Sequence, residues 1–100
     1  MKKILTLLAV TIAFTVSAQF NTNFGTESLN SNTIGFSNSA FGYQSLKFNT
    51  TGSDNTASGY KALYTNTEGS NNTAYGQQSL VTNTTGSFNT ASGAYSLSAN

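Results

Sequence analysis

Few residues in this chain could do chemistry. Catalysis by proton transfer or nucleophilic attack draws on a donor, an activated nucleophile or a metal, and the 100-residue sequence holds no His, Cys or Arg. Its acids are Glu27, Asp54 and Glu68, its lysines Lys2, Lys3, Lys47 and Lys61, and its tyrosines Tyr43, Tyr60, Tyr64, Tyr75 and Tyr95. The acids fall at three different places in a repeating unit, so the repeat pairs none of them to share a proton or a metal; they read as solvated surface charges. Calcium asks for several oxygen ligands, and the aspartate-rich nonapeptide of calcium-binding β-rolls is absent. The nine glycines compose neither G-x-x-x-x-G-K-[ST] nor G-x-G-x-x-G, so they read as corners rather than phosphate cradles. The expectation is no catalytic residue, no cofactor or cofactor-binding residue, no metal site and no enzyme. The tyrosines fall at outward positions and are expected to pack there against adjacent coils or neighbouring protomers. The alternative is that such rings stack on sugars or meet a protein partner.

Other elements must position these residues. Residues 1–18 read as a secretory signal peptide: Lys2 and Lys3 lead, an apolar run follows from Ile4 to Val16, and Val16-Ser17-Ala18 offers a small-residue cleavage site. The run is shorter than the ~20 residues of a spanning helix, so no membrane insertion is expected after cleavage. The remaining 82 residues, 19–100, keep Lys47 and Lys61 against Glu27, Asp54 and Glu68, a net charge of 2 − 3 = −1. Nucleic acid, whose binding rests on phosphate neutralisation, is an unsuitable partner for that balance.

Ser, Thr and Asn each occur 13 times in residues 19–100, together 39 of 82, a composition that also suits disorder. Their order argues otherwise. A unit of seventeen, N-[TS]-A-x-G-x-x-[SA]-L-x-x-N-T-x-G-x-x, runs through residues 21–37, 38–54, 55–71, 72–88 and, in part, 89–100. Asn (positions 1 and 12), Ala (3), Gly (5 and 15) and Leu (9) recur, apart from Asn23 where the first copy lacks Ala. Position 7 drifts through Glu27, Gln44, Lys61, Gln78 and Tyr95, and position 10 through Asn30, Lys47, Tyr64, Val81 and Ser98. Fixed small sites beside drifting polar ones describe an inside and an outside.

A seventeen-residue unit is too short for helical-pair repeats, and its Gly, Asn, Thr and Ser disfavour helix. The expected fold is all-β: a parallel β-solenoid (β-roll) of 17-residue coils, with strands around "NTAxG" and "xxSLxx" and bends at both glycines. Coils would stack ~4.8 Å apart, and the two asparagine series would form amide ladders. One Leu and one Ala per coil make a thin core, so the chain is expected to be a homo-oligomer or part of a longer fibre.

The stretch "NTASGYKALYTNTEGSNNTAYGQQSL" resembles the head repeats of trimeric autotransporter adhesins (the YadA-like head) and, more closely, the repeats of bacterial tail-fibre-domain-containing proteins. The likeness covers residues 21–100 and implies a trimeric β-roll at a bacterial outer surface. The functional expectation is therefore a secreted or cell-surface structural and adhesive segment, a trimer with an extracellular glycan or protein ligand. The alternatives are an ice-binding β-solenoid, with threonine ranks Thr33, Thr50, Thr67, Thr84 and Thr22, Thr56, Thr73, Thr90, or a curli-like functional amyloid subunit.

Overall fold

The computed structural model describes residues 20–99; the expected signal peptide and Asn100 lie outside the described residues. In each copy the three residues after the first asparagine, Thr or Ser, then Ala (Asn23 in the first copy), then Phe, Tyr or Ser, run extended: β1 Thr22–Phe24, β2 Ser39–Phe41, β3 Thr56–Ser58, β4 Thr73–Tyr75 and β5 Thr90–Ser92. The five strands form one parallel sheet in chain order. Thr22 lies against Ser39, Ala40 against Ala57, Ser58 against Tyr75 and Ala74 against Ala91, a shift of seventeen residues at each step. The chain is a parallel β-solenoid in which equivalent residues are neighbours along one axis.

The second expected strand, around "xxSLxx", does not form. Two residues there have left-handed backbone, Gln44 (φ 58°) and Leu46 (φ 50°) in the second coil, and the same two positions repeat this in every coil. An extended strand cannot contain such residues. Consecutive turns form instead, with the Ser45 N–H donating to the Gly42 carbonyl (3.2 Å) and the Asn49 N–H to the Leu46 carbonyl (3.2 Å). The turns aim Leu46, Leu63 and Leu80 inward, each fully buried. Coil-to-coil bonding continues through them all the same, for instance from the Leu46 N–H to the Ala62 carbonyl (3.0 Å).

The glycine expectation is half corrected too. Position 5 is a left-handed corner: Gly59 has φ +129°, and a Cβ there would lie 2.7 Å from the Gly76 carbonyl carbon. Position 15 is not left-handed. It is glycine because its surroundings leave no room: a Cβ on Gly52 would come within 2.5 Å of Asn49 Oδ1 and closer still to the Gly69 carbonyl oxygen. Left-handed backbone at position 17 falls to residues such as Asp54 (φ 58°) and Asn71 (φ 58°).

The interior combines a narrow apolar cluster with two polar columns. Ala40, Ala57, Ala74, Ala91 and Ala62 pack beside the three buried leucines, with Leu29 against the cluster. The expected amide ladders are present. In one column Asn49 Nδ2 donates to Asn32 Oδ1 (2.8 Å), Asn66 to Asn49 (2.9 Å) and Asn83 to Asn66 (2.8 Å). In the other, Asn38 Oδ1 accepts from both the backbone N–H (3.0 Å) and the Nδ2 (3.1 Å) of Asn55, and Asn55 Oδ1 serves Asn72 likewise. Both columns converge on the position-15 carbonyl: Gly52 O accepts from Asn38 Nδ2 (2.8 Å) and Asn49 Nδ2 (2.9 Å) of its own coil.

Smaller devices complete the stack. Three consecutive N–H groups, of Thr33, Ile34 and Gly35, donate to the single Thr50 carbonyl at 3.0, 3.2 and 3.2 Å, and the pattern recurs one and two coils on. The Ser45 and Ser79 hydroxyls donate back to the carbonyls of Gly42 (3.0 Å) and Gly76 (2.9 Å). Asn23, the exception at position 3, sends its amide to the Ser28 carbonyl (3.3 Å). In later coils that carbonyl receives the leucine N–H of the coil before, as Ser45 O does from Leu29 (3.1 Å). Among the described residues no buried side-chain nitrogen or oxygen lacks a hydrogen-bond partner.

The interior sets what substitutions in it should cost. Asn55→Ala removes the acceptor of the buried Asn72 N–H and is expected to cost about 2–4 kcal/mol in denaturant unfolding. Thr51→Ala, on the exposed side of the coil before, should stay within ~0.5 kcal/mol. Gly52→Ala places a methyl group against rigid backbone and is expected to destabilise by more than ~4 kcal/mol, read as loss of the folded circular-dichroism signal.

Candidate functional surface

With the interior committed to ladders, function falls to the outer side. Position 3 points in, so positions 2 and 4 of each strand point out. They carry Thr or Ser, and then Phe24, Phe41, Ser58, Tyr75 and Ser92. Because register is kept, like side chains meet: the Phe24 and Phe41 rings stack at 5.8 Å and 9°. One corner further, at position 6, Tyr43 and Tyr60 stack at 5.7 Å and 11°. All four rings remain substantially exposed. The two sequence expectations for the tyrosines therefore meet in one arrangement, since Tyr43 and Tyr60 both pack between coils and face outward. Tyr75 and Tyr95 are exposed and Tyr64 is half-buried.

The stack continues around the next corner into a mixed cluster. Lys61 Nζ sits 5.3 Å from the Tyr60 ring centre and 5.0 Å from that of Tyr64. Phe48 meets Tyr64 edge-on at 5.1 Å, and Lys47 Nζ lies 5.3 Å from the Phe48 ring. Lys47 also pairs with Glu27 across one coil step, 3.1 Å apart, and the same carboxylate accepts from the Gln44 side-chain amide. Gln44 is itself nearly buried, unlike the other residues of its drifting position. Both lysines of residues 20–99 thus stand in one aromatic neighbourhood on the second and third coils. Sequence reading counted those lysines only as charge and passed over Phe48. Seventeen-residue register was the available signal, because it places Tyr43 beside Tyr60 and Phe48 beside Tyr64-Thr65.

The remaining candidates are dispersed. Asp54 and Glu68 are exposed at positions 17 and 14, and among the described residues no three His, Cys, Asp or Glu side chains come together. The rank Thr33, Thr50, Thr67 directs its hydroxyls along the axis, each donating to the threonine carbonyl one coil on, at 3.0, 3.2 and 3.4 Å. The rank Thr22, Thr56, Thr73, Thr90 lies on the outer side of the strands, with Ser39 in the second coil. Comparisons of the chain with protein-family models, curated proteins and solved structures found no match.

Among the described residues, electrostatics on this surface reduce to one ion pair. The hydrogen bond from Gln44, and then that with Lys47, hold the Glu27 carboxyl below its ordinary value. The hydrogen bond to Glu27 raises Lys47 above its own. A depressed carboxyl contributes stability above its unfolded pKa and loses it as pH falls through the folded value; a raised ammonium contributes below its unfolded pKa and loses it as pH rises through the folded value. The pair is therefore fully formed across neutral pH. Both groups are solvent-exposed, so the contribution is small and screened by salt. Unfolding midpoints are expected to be flat between about pH 5.5 and 9. Any acid-side loss should begin as pH falls through the ordinary glutamate range, be complete below the folded value, and vanish in Glu27→Gln.

Proposed function

We propose that the chain is an exported structural and adhesive segment, assembled as a trimer at a cell surface and presenting many weak contacts along a rigid polar stack. One observation carries this reading. The invariant residues hold coil to coil, whereas the drifting ones, Gln44 apart, stand at least partly outward at regular coil intervals. Such an array suits multivalent attachment, where linked weak contacts add without a single deep pocket. The resemblance to YadA-like heads and tail-fibre repeats supports the trimer, and the basic-then-apolar leader supports export. A threonine rank whose hydroxyls are bonded along the axis gives less support to ice binding.

Sedimentation of the exported product is expected to show three chains per particle, and its amino-terminal sequence is expected to begin at Gln19. Deleting the gene should reduce attachment of the producing cells to surfaces. A stable folded monomer would refute the trimer, and unchanged attachment would refute the adhesive role.

A further inference from the structure

The aromatic–lysine cluster on the second and third coils is not explained by the fold. Its positions need neither rings nor cations, because the same places elsewhere hold Thr26 and Gln77 (position 6), Glu27 and Gln78 (position 7), and Asn30 and Val81 (position 10), in coils of the same backbone. Here they hold Tyr43 and Tyr60, Lys61, and Tyr64 together. No ring stacks on Tyr43 from the coil before, where its equivalent is Thr26, and Tyr43 is 45 % exposed.

Lys61 supplies the second observation. Its ammonium is held between two tyrosine rings, but among the described residues it joins no carboxylate, since the one ion pair is Lys47–Glu27. A lysine ammonium has three donors, and none of them is engaged by a described acceptor. Lys47, by contrast, is neutralised by Glu27 at 3.1 Å. The cluster therefore combines exposed aromatic surface with one fixed, uncompensated positive charge.

We propose that Tyr43, Tyr60, Lys61 and Tyr64 form a binding site for an acidic glycan of the uronate class. The hydrophobic face of a pyranose ring lies on tyrosine, and its carboxylate takes the donors of Lys61. The proposal rests on the surface-presenting reading in needing this side open to solvent. Charge chooses the ligand: a neutral sugar offers the Lys61 donors only hydroxyl and ring oxygens, a carboxylate makes the stronger charge-assisted bond, and a cationic sugar is repelled. The cluster is too small to be by itself an interface with a second copy of the chain. Two coils rise only ~10 Å, a small footprint beside the ~800 Å² per partner of a stable protein interface.

The test is calorimetric titration of the purified protein with tetragalacturonate and with its methyl ester, which keeps the sugar rings and removes the charge. The acid is expected to bind and the ester to bind more weakly, by roughly tenfold or more, the worth of a charge-assisted hydrogen bond. Lys61→Gln should lose the preference for acid over ester. Tyr43→Thr with Tyr60→Gln, which installs residues already borne at position 6 by other coils, should lose both ligands while keeping the folded spectrum. Absence of binding, equal binding of acid and ester, or affinities unchanged in both variants would overturn the proposal. So would a fall in particle mass in the tyrosine variant, which would make the cluster a contact between chains. A wild-type protein that promotes cell attachment without binding tetragalacturonate removes this site and leaves the adhesive function standing. One that binds it without promoting attachment does the reverse.

Discussion

The structure depends on a glycine carbonyl held by two asparagine amides. In each complete inner coil, Asn at position 1 and Asn at position 12 reach the same position-15 oxygen, as Asn55 and Asn66 do at Gly69 (2.8 and 2.9 Å). This ties distant parts of one coil together across its interior. The free oxygens of the same amides then face the next coil, where Asn66 Oδ1 accepts from Asn83 (2.8 Å) and Asn55 Oδ1 from Asn72 (3.0 and 3.1 Å). A single residue type thus closes the coil and joins it to its neighbour. Buried polar networks are stabilising when every member is satisfied and costly otherwise, and this one leaves no described member unsatisfied.

That constraint accounts for what varies and what does not. An amide column works only if each rung matches, so the asparagines, and the glycines that make room for them, keep step. The apolar contribution is narrow, with Leu46, Leu63 and Leu80 lined up beside a file of alanines. It is also bought with backbone strain: each of those leucines is left-handed, at φ 50°, 52° and 50°, a conformation that costs a non-glycine residue about 1–2 kcal/mol. Burying a leucine side chain returns about 1.5–3 kcal/mol, and glycine at that place would remove the strain and the core together. Outside, no such coupling acts. Position 6 accepts Thr, Tyr, Gln or Ala, and that freedom allows one region to concentrate rings and a lysine while the backbone stays the same.

Register makes the surface as well as the core. Parallel stacking without slippage brings Phe24 to Phe41 and Tyr43 to Tyr60 as nearly parallel pairs. Glu27 and Lys47 meet through a diagonal of one coil plus three residues. Neighbours on this surface are set by addition of seventeen, not by closeness along the chain, and for that reason the Lys61 environment spans Tyr60 and Tyr64 on one coil and leads through Phe48 to the coil before.

The sequence by itself determined the period, the parallel stacking of like on like and the two asparagine ladders, because each needs only that residues seventeen apart be adjacent. It also marked Leu46, Leu63 and Leu80 as inside and Tyr43 and Tyr60 as outside. Only the tertiary structure decided the path of each coil. It replaced the second strand by left-handed turns at residues such as Gln44 and Leu46, whose side chains announce no such backbone. It gave Gly52 its reason, which is the nearness of Asn49 and Gly69 rather than a turn. It also brought Lys61 to two rings while Glu27 went to Lys47. Periodicity reports which residues share a place in every coil; the distances across one coil depend on how the backbone bends, and that is settled by packing.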